Sequence, residues 1–518
     1  MSESTPAESV PEVLEGVPEA LEGVEASFWE YERALMANDL ETLDRLFAPG
    51  PETLRGDAAG ILVGHDAIRQ FRKGRGGAPA RAILHVEIRM ITDAAALVIA
   101  ITAPVTGGRG QQTQLWALVD GSWRVTAAHV SLPGPAVNGT VWRTVGTPLV
   151  RGAAAGLLSG QTVAVKDLYD IDGFAVGAGI PAFLAEASPA TGNSPAVEAL
   201  LSAGADITGI AQTDEFAYSI AGRNPHYGTP PNPAVIGAVP GGSSSGPASA
   251  VALGQASIGL GTDTAGSIRV PASYQGLWGL RTTHGAVSAE RLLPLAPTFD
   301  TVGWLTRSAT TLRAAAEATL DMNRQVDVAP SYVVAPALLE HCEPDVREAF
   351  APYLSHDTVD LGDIDELFFT FRTVQQAEAW AVHGEWIEAH PGALGDDIAA
   401  RFALAASVTA EQAAAARATL ATVRARLDAM LADRVLLLPS ATSTAPSTSA
   451  DADLIERTRQ GTLRLTCIAG ITGRPALSVP LLSVPQPAAL LPAPVGLCLV
   501  GPRFGDVALI DLAEQLAG

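Results

Sequence analysis

The segment PGGSSSGPASAVALGQASIGLGTDTAGSIR, residues 240–269, contains two serine loops that lie close together in the chain. Ser243 lies in the first loop and Ser267 in the second, and glycines border both. Because glycine tolerates backbone conformations that other residues disfavour, each serine can be held in a tight turn suited to chemistry. Between the loops, the pattern predicts a helix over 248–254 and a strand over 256–261. The segment therefore predicts an α/β fold whose active site contains both serines.

Lys166 is a candidate base for these serines. The chain has 33 basic residues, and only Lys73 and Lys166 among them are lysines. Lys166 stands in the apolar run 163–168, where a desolvated lysine can lose its proton and an arginine cannot. Its pKa would have to fall from about 10.4 to near 7, a change of roughly 4 kcal/mol that burial can supply. The sequence therefore predicts a neutral Lys166 that activates a serine.

The composition is typical of a globular protein with more than one domain. The chain has 518 residues, of which 47% are hydrophobic and 17% are charged. Its net charge of -22 repels phosphate, so we expect no nucleic-acid partner. Cys342, Cys467 and Cys498 are scattered, and their spacing predicts neither a disulfide framework nor a zinc site. We expect no metal, no organic cofactor, no membrane segment, no secretory signal and a cytoplasmic location.

Changes of pattern along the chain predict four segments. Residues 1–20 are predicted to form an acidic tail, 21–133 a small α+β domain, 134–150 a linker and 151–518 an α/β domain. In the small domain, helical spacing comes before strand patterns. Its predicted helices are 24–38, 40–47 and 66–71, and its predicted strands are 82–88, 95–101, 112–119 and 123–130.

Strand and helix patterns alternate in the larger domain, which predicts a mixed sheet covered by helices. The predicted strands are 162–165, 206–210, 256–261, 434–439, 475–480 and 495–500. The predicted helices are 195–204, 248–254, 309–321, 344–354, 372–390 and 410–432. Thr409 and Gln412 predict a capping box at the start of the last helix.

Two other motifs fit the first serine loop less well. A phosphate-binding P-loop needs a lysine after its last glycine, and Pro247 stands there. Residues 242–246 also match G-x-S-x-G, which would make Ser244 the nucleophile of an α/β-hydrolase. That turn should follow a strand, whereas 232–240 is broken by prolines. The α/β-hydrolase interpretation is therefore disfavoured.

Three motifs taken together resemble the amidase signature family. They are VAVKD at 163–167, GGSS at 241–244 and GLGTDTAGSIRVPA at 259–272. Within that family, 213–219, 226–230, 283–285 and 299–304 are most similar to indoleacetamide hydrolases and other small-amide amidases. The resemblance covers about 145–518, and it implies the α/β amidase signature fold.

The resemblance implies a role for each residue of the motifs. Ser267 would be the nucleophile that forms an acyl-enzyme, and Ser243 would pass its proton to Lys166. It also implies a cis peptide before Ser243, with Gly242 minimising the steric conflict. The oxyanion hole would be formed by the backbone N–H groups of Thr264, Ala265 and Gly266.

Four further residues would support the catalytic loops: Gly242, Ser244, Asp263 and Arg269. For Asp263 and Arg269 we favour an ion pair that braces the nucleophile loop over binding of a substrate carboxylate by Arg269. Ala265 stands where many family members have glycine. Its N–H group remains, so we expect function to survive.

The N-terminal segment resembles the AtzH-like domain, a cone-shaped α+β fold. The resemblance covers about 22–133 and rests on 28–32, 64–72, 112–116 and 123–131. Characterised members of that family act on dicarboxyurea, and Tyr31 and Arg55 occupy the places of its pocket tyrosine and arginine. Two interpretations remain open. The domain is either a second active site for a carboxylated urea or a dimerisation module with a relic pocket.

The expected function is that of an amidohydrolase. It would cleave a small carboxamide or urea-type C–N bond, release ammonia or an amine, and act as a homodimer on a small-molecule amide. Two alternatives remain: an A-type amidotransferase subunit that needs partner subunits, and a non-catalytic binding or assembly protein.

Overall fold

The computed structural model describes residues 19–57, 60–75, 77–78, 80–104, 110–131, 138–486 and 491–517. These residues form two compact units, one up to residue 131 and the other from residue 138 onward. The predicted acidic tail, 1–20, lies outside the described residues except for its last two positions.

The N-terminal unit packs three helices on a six-stranded sheet, as the predicted α+β fold requires. Its helices are α1 (Glu19–Ala37), α2 (Leu40–Leu46) and α3 (His65–Arg75). Its strands are β1 (Leu54–Asp57), β2 (Gly60–Val63), β3 (Arg81–Thr92), β4 (Ala95–Pro104), β5 (Gly110–Val119) and β6 (Ser122–Ser131). The sheet order is β2-β1-β6-β5-β4-β3, with β1 and β6 parallel. The short β1–β2 hairpin was not predicted, because each of its strands contains a glycine, Gly56 or Gly60, and glycine weakens a strand pattern.

The C-terminal unit is built on one mixed sheet with the order β14-β13-β15-β17-β16-β11-β12-β10-β8-β9-β7. Its strands are β7 (Trp142–Val150), β8 (Thr162–Lys166), β9 (Asp206–Ala211), β10 (Ile258–Thr262), β11 (Trp278–Arg281), β12 (Val302–Thr306), β13 (Tyr332–Val334), β14 (Asp357–Thr358), β15 (Val435–Pro439), β16 (Ala476–Val484) and β17 (Ala493–Val500). Every residue of β10, β12 and β15 is buried, because helices cover the sheet. The predicted mixed sheet is confirmed.

Twelve α-helices are described in this unit. They are α4 (Pro181–Glu186), α5 (Pro195–Ser202), α6 (Ser245–Ala252), α7 (Arg269–Gln275), α8 (Ala309–Thr319), α9 (Pro336–Leu339), α10 (Pro344–Phe350), α11 (Ile364–Ala389), α12 (Asp396–Ala406), α13 (Ala410–Leu431), α14 (Ala452–Thr472) and α15 (Asp506–Ala517). The capping box of Thr409 and Gln412 at the start of α13 is confirmed, with both of its hydrogen bonds present.

Several elements of the C-terminal unit were not predicted from the sequence, among them α7, α12, α15 and the strands β11 to β14. Two further differences concern β7 and α14. Residues 142–150 lie in the segment predicted to be a linker, yet they form the edge strand β7, which pairs with β9. Gly146 and Pro148 obscure its strand pattern, and the pairing with β9 skips from Val145 to Val150. Helix α14 was not predicted at all. Its C-terminal half, 462–472, is buried on every side and therefore shows no amphipathic period.

The order of the central strands positions the catalytic motifs. β8 and β10 are parallel neighbours, with Val165 opposite Leu260. Their carboxyl ends, Lys166 and Thr262, therefore lie at the same edge of the sheet. The first serine loop leads into α6, and the second connects β10 to α7. Strand order thus brings together a lysine and two loops that are widely separated in the chain.

Candidate active site

Lys166 lies at the end of β8 and is completely buried. Its Nζ donates hydrogen bonds to Ser243 Oγ at 2.8 Å and to Thr262 Oγ1 at 2.7 Å. One contact comes from the first serine loop and the other from the end of the neighbouring strand. The amine is therefore held between two hydroxyl groups, with no water-exposed surface.

Burial lowers the pKa of Lys166 from 10.5 to about 7. The charges of Asp214, Asp263 and Asp300 act in the opposite direction, but they do not offset the loss of solvation. A large fraction of the amine is consequently neutral at neutral pH. In that form its lone pair can accept the Ser243 proton, while an N–H group still donates to Thr262.

Asp167, the next residue along the chain, has a separate partner. Its carboxylate pairs with Arg143 Nε at 3.0 Å and accepts a hydrogen bond from the Gly177 amide at 2.9 Å. Burial raises the pKa of Asp167 to about 7, and Arg143 opposes that rise. Successive side chains alternate across a strand, which explains why this carboxylate is not the counter-ion of Lys166.

The first serine loop is fixed by Thr213 and Asp214. The Gly242–Ser243 peptide is cis, as the family resemblance implied. Thr213 Oγ1 donates to the Ser243 carbonyl at 2.9 Å, and Asp214 Oδ1 accepts from Ser245 Oγ at 3.1 Å. A side chain at Gly242 would place its Cβ 2.4 Å from Asp214 Oδ2, so only glycine fits this position. Burial raises the pKa of Asp214 to about 6.

Ser244 joins the two loops instead of facing a substrate. Its amide donates to the Ser267 carbonyl at 3.3 Å, and its Oγ donates to the Thr262 carbonyl at 3.2 Å. Ser244 is fully buried. The disfavoured assignment of Ser244 as a nucleophile is therefore not supported by its surroundings.

The second loop is organised around Asp263, which is fully buried between two arginines. Arg269 Nη2 lies 2.8 Å and Arg281 Nη1 3.1 Å from Asp263 Oδ1. Burial alone would raise the pKa of Asp263, but the two guanidinium groups and the backbone amides hold it well below its usual range. The predicted ion pair of Asp263 and Arg269 is present, and Arg269 has no exposed surface with which to meet a substrate.

One residue of the predicted oxyanion hole is already engaged. The Gly266 amide donates to Asp263 Oδ1 at 2.8 Å, so it cannot also bind a substrate oxygen. Within the described part of the chain, the amides of Thr264, Ala265 and Ser267 donate no hydrogen bond. The oxyanion-hole prediction is thereby narrowed to Thr264 and Ala265, with Ser267 as an additional candidate.

Ser267 lines a narrow pocket whose free volume is about 10 Å³, which is room for about one water molecule. Thr264 and Ala265 line it beside the serine, and the polar residues Tyr218, Gln375 and Arg459 form part of its wall. The three polar wall residues come from the segment after β9, from α11 and from α14.

Sequence reasoning missed Thr262, Asp214 and Arg281 as parts of the site. Thr262 belongs to the GTDTAGS motif and Asp214 to the TDEFAYS segment, so both carried a signal that could have been used. Arg281 and the cavity-wall residues carry no local motif, and they reach the site only through packing of distant elements.

Tyr31 and Arg55, the predicted pocket residues of the N-terminal unit, are both buried. Burial raises the pKa of Tyr31, while the charges of Arg72, Arg81 and Arg55 act against that rise. Arg55 pairs with Asp57 at 2.7 Å and stacks over a phenylalanine ring. The predicted pair therefore lies within a larger cluster of arginines.

Membrane-spanning helices and metal-binding clusters are both missing from the described residues. None of the described helices combines the length and apolarity needed to cross a bilayer. No group of histidine, cysteine and acidic side chains suited to a metal ion occurs in the described ranges.

Comparison with known proteins identified relatives of both units. The amidase family model matches residues 147–349, and the AtzH-like model matches 15–135. Amidase 1 of Arabidopsis thaliana is 33% identical over 401 residues, which cover 70% of this chain and 93% of that protein. The 1-carboxybiuret hydrolase subunit AtzE of Pseudomonas sp. (strain ADP) is 41% identical over 168 residues, covering 32% of this chain and 36% of that protein. A solved amidase structure is similar with a TM-score of 0.62 and 29% identity, covering 70% of this chain and 86% of that one.

We expect Asp263→Asn to destabilise the C-terminal unit by roughly 3–5 kcal/mol, because it leaves Arg269 and Arg281 as buried charges without a counter-ion. The measurement is the free energy of unfolding from urea denaturation followed by circular dichroism. Asp511→Asn is the matched control, since Asp511 pairs with Arg313 at the surface and should contribute about 0–1 kcal/mol. Equal effects of the two substitutions would contradict the bracing role of Asp263.

Proposed function

The chain belongs to the amidase signature family, and we propose on that premise that it hydrolyses a small carboxamide or urea-type C–N bond through Ser267, Ser243 and Lys166. The observation that carries the proposal is the 2.8 Å contact between Lys166 Nζ and Ser243 Oγ, two side chains that are both fully buried. Burial lowers the pKa of this lysine to about 7, so the group can act as a base at neutral pH.

In the acylation step, Ser267 Oγ attacks the carbonyl carbon of the substrate. Its proton passes to Ser243 Oγ as the Ser243 proton passes to Lys166 Nζ. The tetrahedral intermediate then collapses, the C–N bond breaks, and the Lys166–Ser243 pair returns the proton to the departing nitrogen. Ammonia or an amine leaves, and the acyl group remains on Ser267 as an ester.

In the second step, water replaces the amine. The neutral Lys166–Ser243 pair takes a proton from water as the water oxygen attacks the ester carbon. The ester C–O bond then breaks, the pair returns the proton to Ser267 Oγ, and the acid leaves. In both steps the charge that develops on the carbonyl oxygen would be bound by the free amides of the nucleophile loop. Each such donor contributes roughly 2.7–4 kcal/mol in acyl-transfer enzymes.

The two alternative functions gain less support. An A-type amidotransferase subunit would share the same loops, but no described feature favours it over a hydrolase. A non-catalytic binding protein would have no need to bury a lysine against a serine hydroxyl, at the cost of desolvating the amine. The homodimer and the cytoplasmic location stay predictions.

A second candidate function concerns the N-terminal unit, where we propose a binding site for a small dicarboxylate. Three arginines, Arg55, Arg72 and Arg81, act on the buried Tyr31, and each is opposed by one carboxylate: Asp57, Asp44 and Glu32, respectively. The polar atoms Arg81 Nε and Gln114 Nε2 are buried without a hydrogen-bond partner in the described structure. Buried donors that lack a partner, next to several guanidinium groups, suit an anionic ligand.

Replacement of the catalytic residues tests the main proposal. We expect Lys166→Arg and Ser267→Ala each to reduce turnover by about 10⁴-fold or more, because arginine cannot become a base and alanine cannot become an acyl carrier. Ammonia release should be measured with indoleacetamide, simple aliphatic and aromatic amides, allophanate, biuret and glutamine. Lys73→Arg, at the only other lysine, is the matched control and should retain full activity. Turnover in purified, folded Ser267→Ala equal to the wild type would refute the assignment.

The pH dependence of kcat/KM tests the role of Lys166. Activity should rise with pH through a limb near pH 7, because Lys166 must lose its proton to act as the base. We expect Thr262→Val to move this limb to lower pH, since removal of the 2.7 Å acceptor weakens the charged form of the amine. Asp167, whose pKa is also about 7, provides the control: Asp167→Asn should leave the midpoint in place. If the midpoint of the limb shifted in Asp167→Asn and stayed unchanged in Thr262→Val, Lys166 would be excluded as its source.

The N-terminal proposal is tested by titrating the whole protein with malonate in a calorimeter. We expect measurable binding that is lost in Arg55→Ala, because this guanidinium is buried beside Tyr31. Arg89→Ala, at an exposed arginine of β3, should leave the binding unchanged. If the heat of binding is the same in Arg55→Ala, or if none is detected at millimolar malonate, the unit is better interpreted as a dimerisation module.

A further inference from the structure

The pocket next to Ser267 is lined by three polar residues that the catalytic steps leave unused, Tyr218, Gln375 and Arg459. These residues form the polar part of its wall. Gln375 is 4% exposed, and the Arg459 side chain is 11% exposed. A guanidinium group so far from solvent, in the wall of a substrate cavity, calls for a ligand of opposite charge.

Arg459 is only partly neutralised by the protein. Its Nη1 pairs with Glu456 Oε1 at 3.0 Å, on the neighbouring turn of α14. The same Glu456 carboxylate also accepts from Gln460 Nε2 at 2.6 Å and lies 3.7 Å from Arg401 Nη2. The Glu456 side chain is 45% exposed, so solvent competes for its charge as well. The solvent-exposed carboxylate of Glu456 is therefore shared between Arg459 and Arg401.

Two further arginines reinforce the positive charge of this wall. Arg401, on α12, donates to the Tyr218 carbonyl at 2.8 Å, and Arg372 lies one helical turn before Gln375 on α11. Arg372 Nε is buried and has no hydrogen-bond partner in the described structure, and its guanidinium stacks 4.9 Å from a phenylalanine ring. Burial raises the pKa of Tyr218 to about 12, and Arg459, Arg401 and Arg372 all act against this rise. Three guanidinium groups thus surround one cavity-wall tyrosine.

The balance of charge at this wall is opposite in sign to that of the whole protein. Arg372, Arg401 and Arg459 are accompanied by two carboxylates within ion-pair distance among the described residues, Glu456 and Asp397. Asp397 is 63% exposed and reaches only Arg401, at 3.5 Å. The chain as a whole carries a net charge of -22. Desolvation of these guanidinium groups costs free energy, and a bound anion would compensate that cost.

We propose that the amidase site selects substrates that carry a carboxylate close to the scissile amide, and that Arg459 binds this carboxylate together with Gln375 and Tyr218. The proposal rests on the assignment of Ser267 as the nucleophile. Arg459 is then the specificity-determining residue for the substrate, whereas Arg269 is confined to bracing the nucleophile loop. A neutral substrate would leave Arg459 with only the shared carboxylate of Glu456 as its counter-ion.

The expected size of the preference follows from the strength of charged hydrogen bonds. Hydrogen bonds to charged groups contribute about 1.5–3 kcal/mol, which corresponds to roughly ten- to hundredfold in affinity. An amide of the same shape that lacks the charge should therefore bind at least about tenfold more weakly.

The test compares two isosteric pairs of ligands by calorimetry: malonamate with malonamide, and succinamate with succinamide. Ser267→Ala serves as the host protein, because it keeps the cavity and prevents turnover. We expect the carboxylate member of at least one pair to bind about tenfold or more tightly than its diamide. In Ser267→Ala/Arg459→Gln the preference should disappear, and Arg459→Lys in the same background should retain part of it because the charge remains.

Arg457→Gln is the matched control, since Arg457 lies on the same helix two positions earlier and is exposed. Arg457→Gln should leave the preference for the carboxylate intact. If the carboxylate bound at another place in the chain, Arg459→Gln would also leave the preference intact. Equal binding of acid and diamide in both pairs would overturn the proposal, as would no binding at millimolar ligand or a preference that survives Arg459→Gln. Turnover is measured separately in the wild type. If Ser267→Ala failed to reduce it, the proposed function would be refuted, while the binding data would still test the charge of the cavity.

Discussion

The pairing of one buried carboxylate with two buried arginines is the constraint on which the nucleophile loop depends. Asp263 remains ionised inside the protein because Arg269 and Arg281 flank it and the amides of Gly266 and Ile268 donate to it. Any one of these charges alone would be very unfavourable in the interior. Together they fix the backbone on both sides of Ser267, so the shape of the loop is set before a substrate arrives. This is the preorganisation that electrostatic catalysis requires.

Lys166 needs the opposite environment, a buried site without a close counter-ion. Strand geometry provides it, because Asp167 projects to the other face and pairs with Arg143. Two neighbouring residues in the sequence therefore experience different electrostatics. One is an amine with a pKa of about 7, and the other is a partner in an ion pair. Thr262 and Ser243 then hold the amine through hydroxyl groups, which do not stabilise its charge as strongly as a carboxylate would.

The parts of the site that were predictable from sequence are those encoded locally. The glycine-bordered serines, the buried lysine and the Thr409 capping box of α13 depend on a few adjacent residues, and the structure has each of them. The contact between Lys166 and Thr262 joins positions 96 residues apart, and no local pattern indicates it. Gly266 was predicted to be an oxyanion donor. In the structure its amide donates to Asp263 Oδ1, because the Asp263 side chain is held in that direction by Arg281. Helix α14 was missed because burial of its C-terminal half removes the amphipathic signal there, and no local motif marks Arg459.

Helix α14 contacts both the pocket and the nucleophile loop, through different turns. Near its middle, Arg459 and Leu463 face the cavity. One turn later, Thr466 supports the nucleophile loop, donating through Oγ1 to the Ala265 carbonyl at 2.7 Å and accepting from Arg269 Nη1 at 3.0 Å through its carbonyl. With Arg459 in its proposed role, substrate selection and support of the nucleophile loop would lie on different turns of one helix. Substitutions at the first turn would then change the substrate, while Thr466 would keep the nucleophile loop in place.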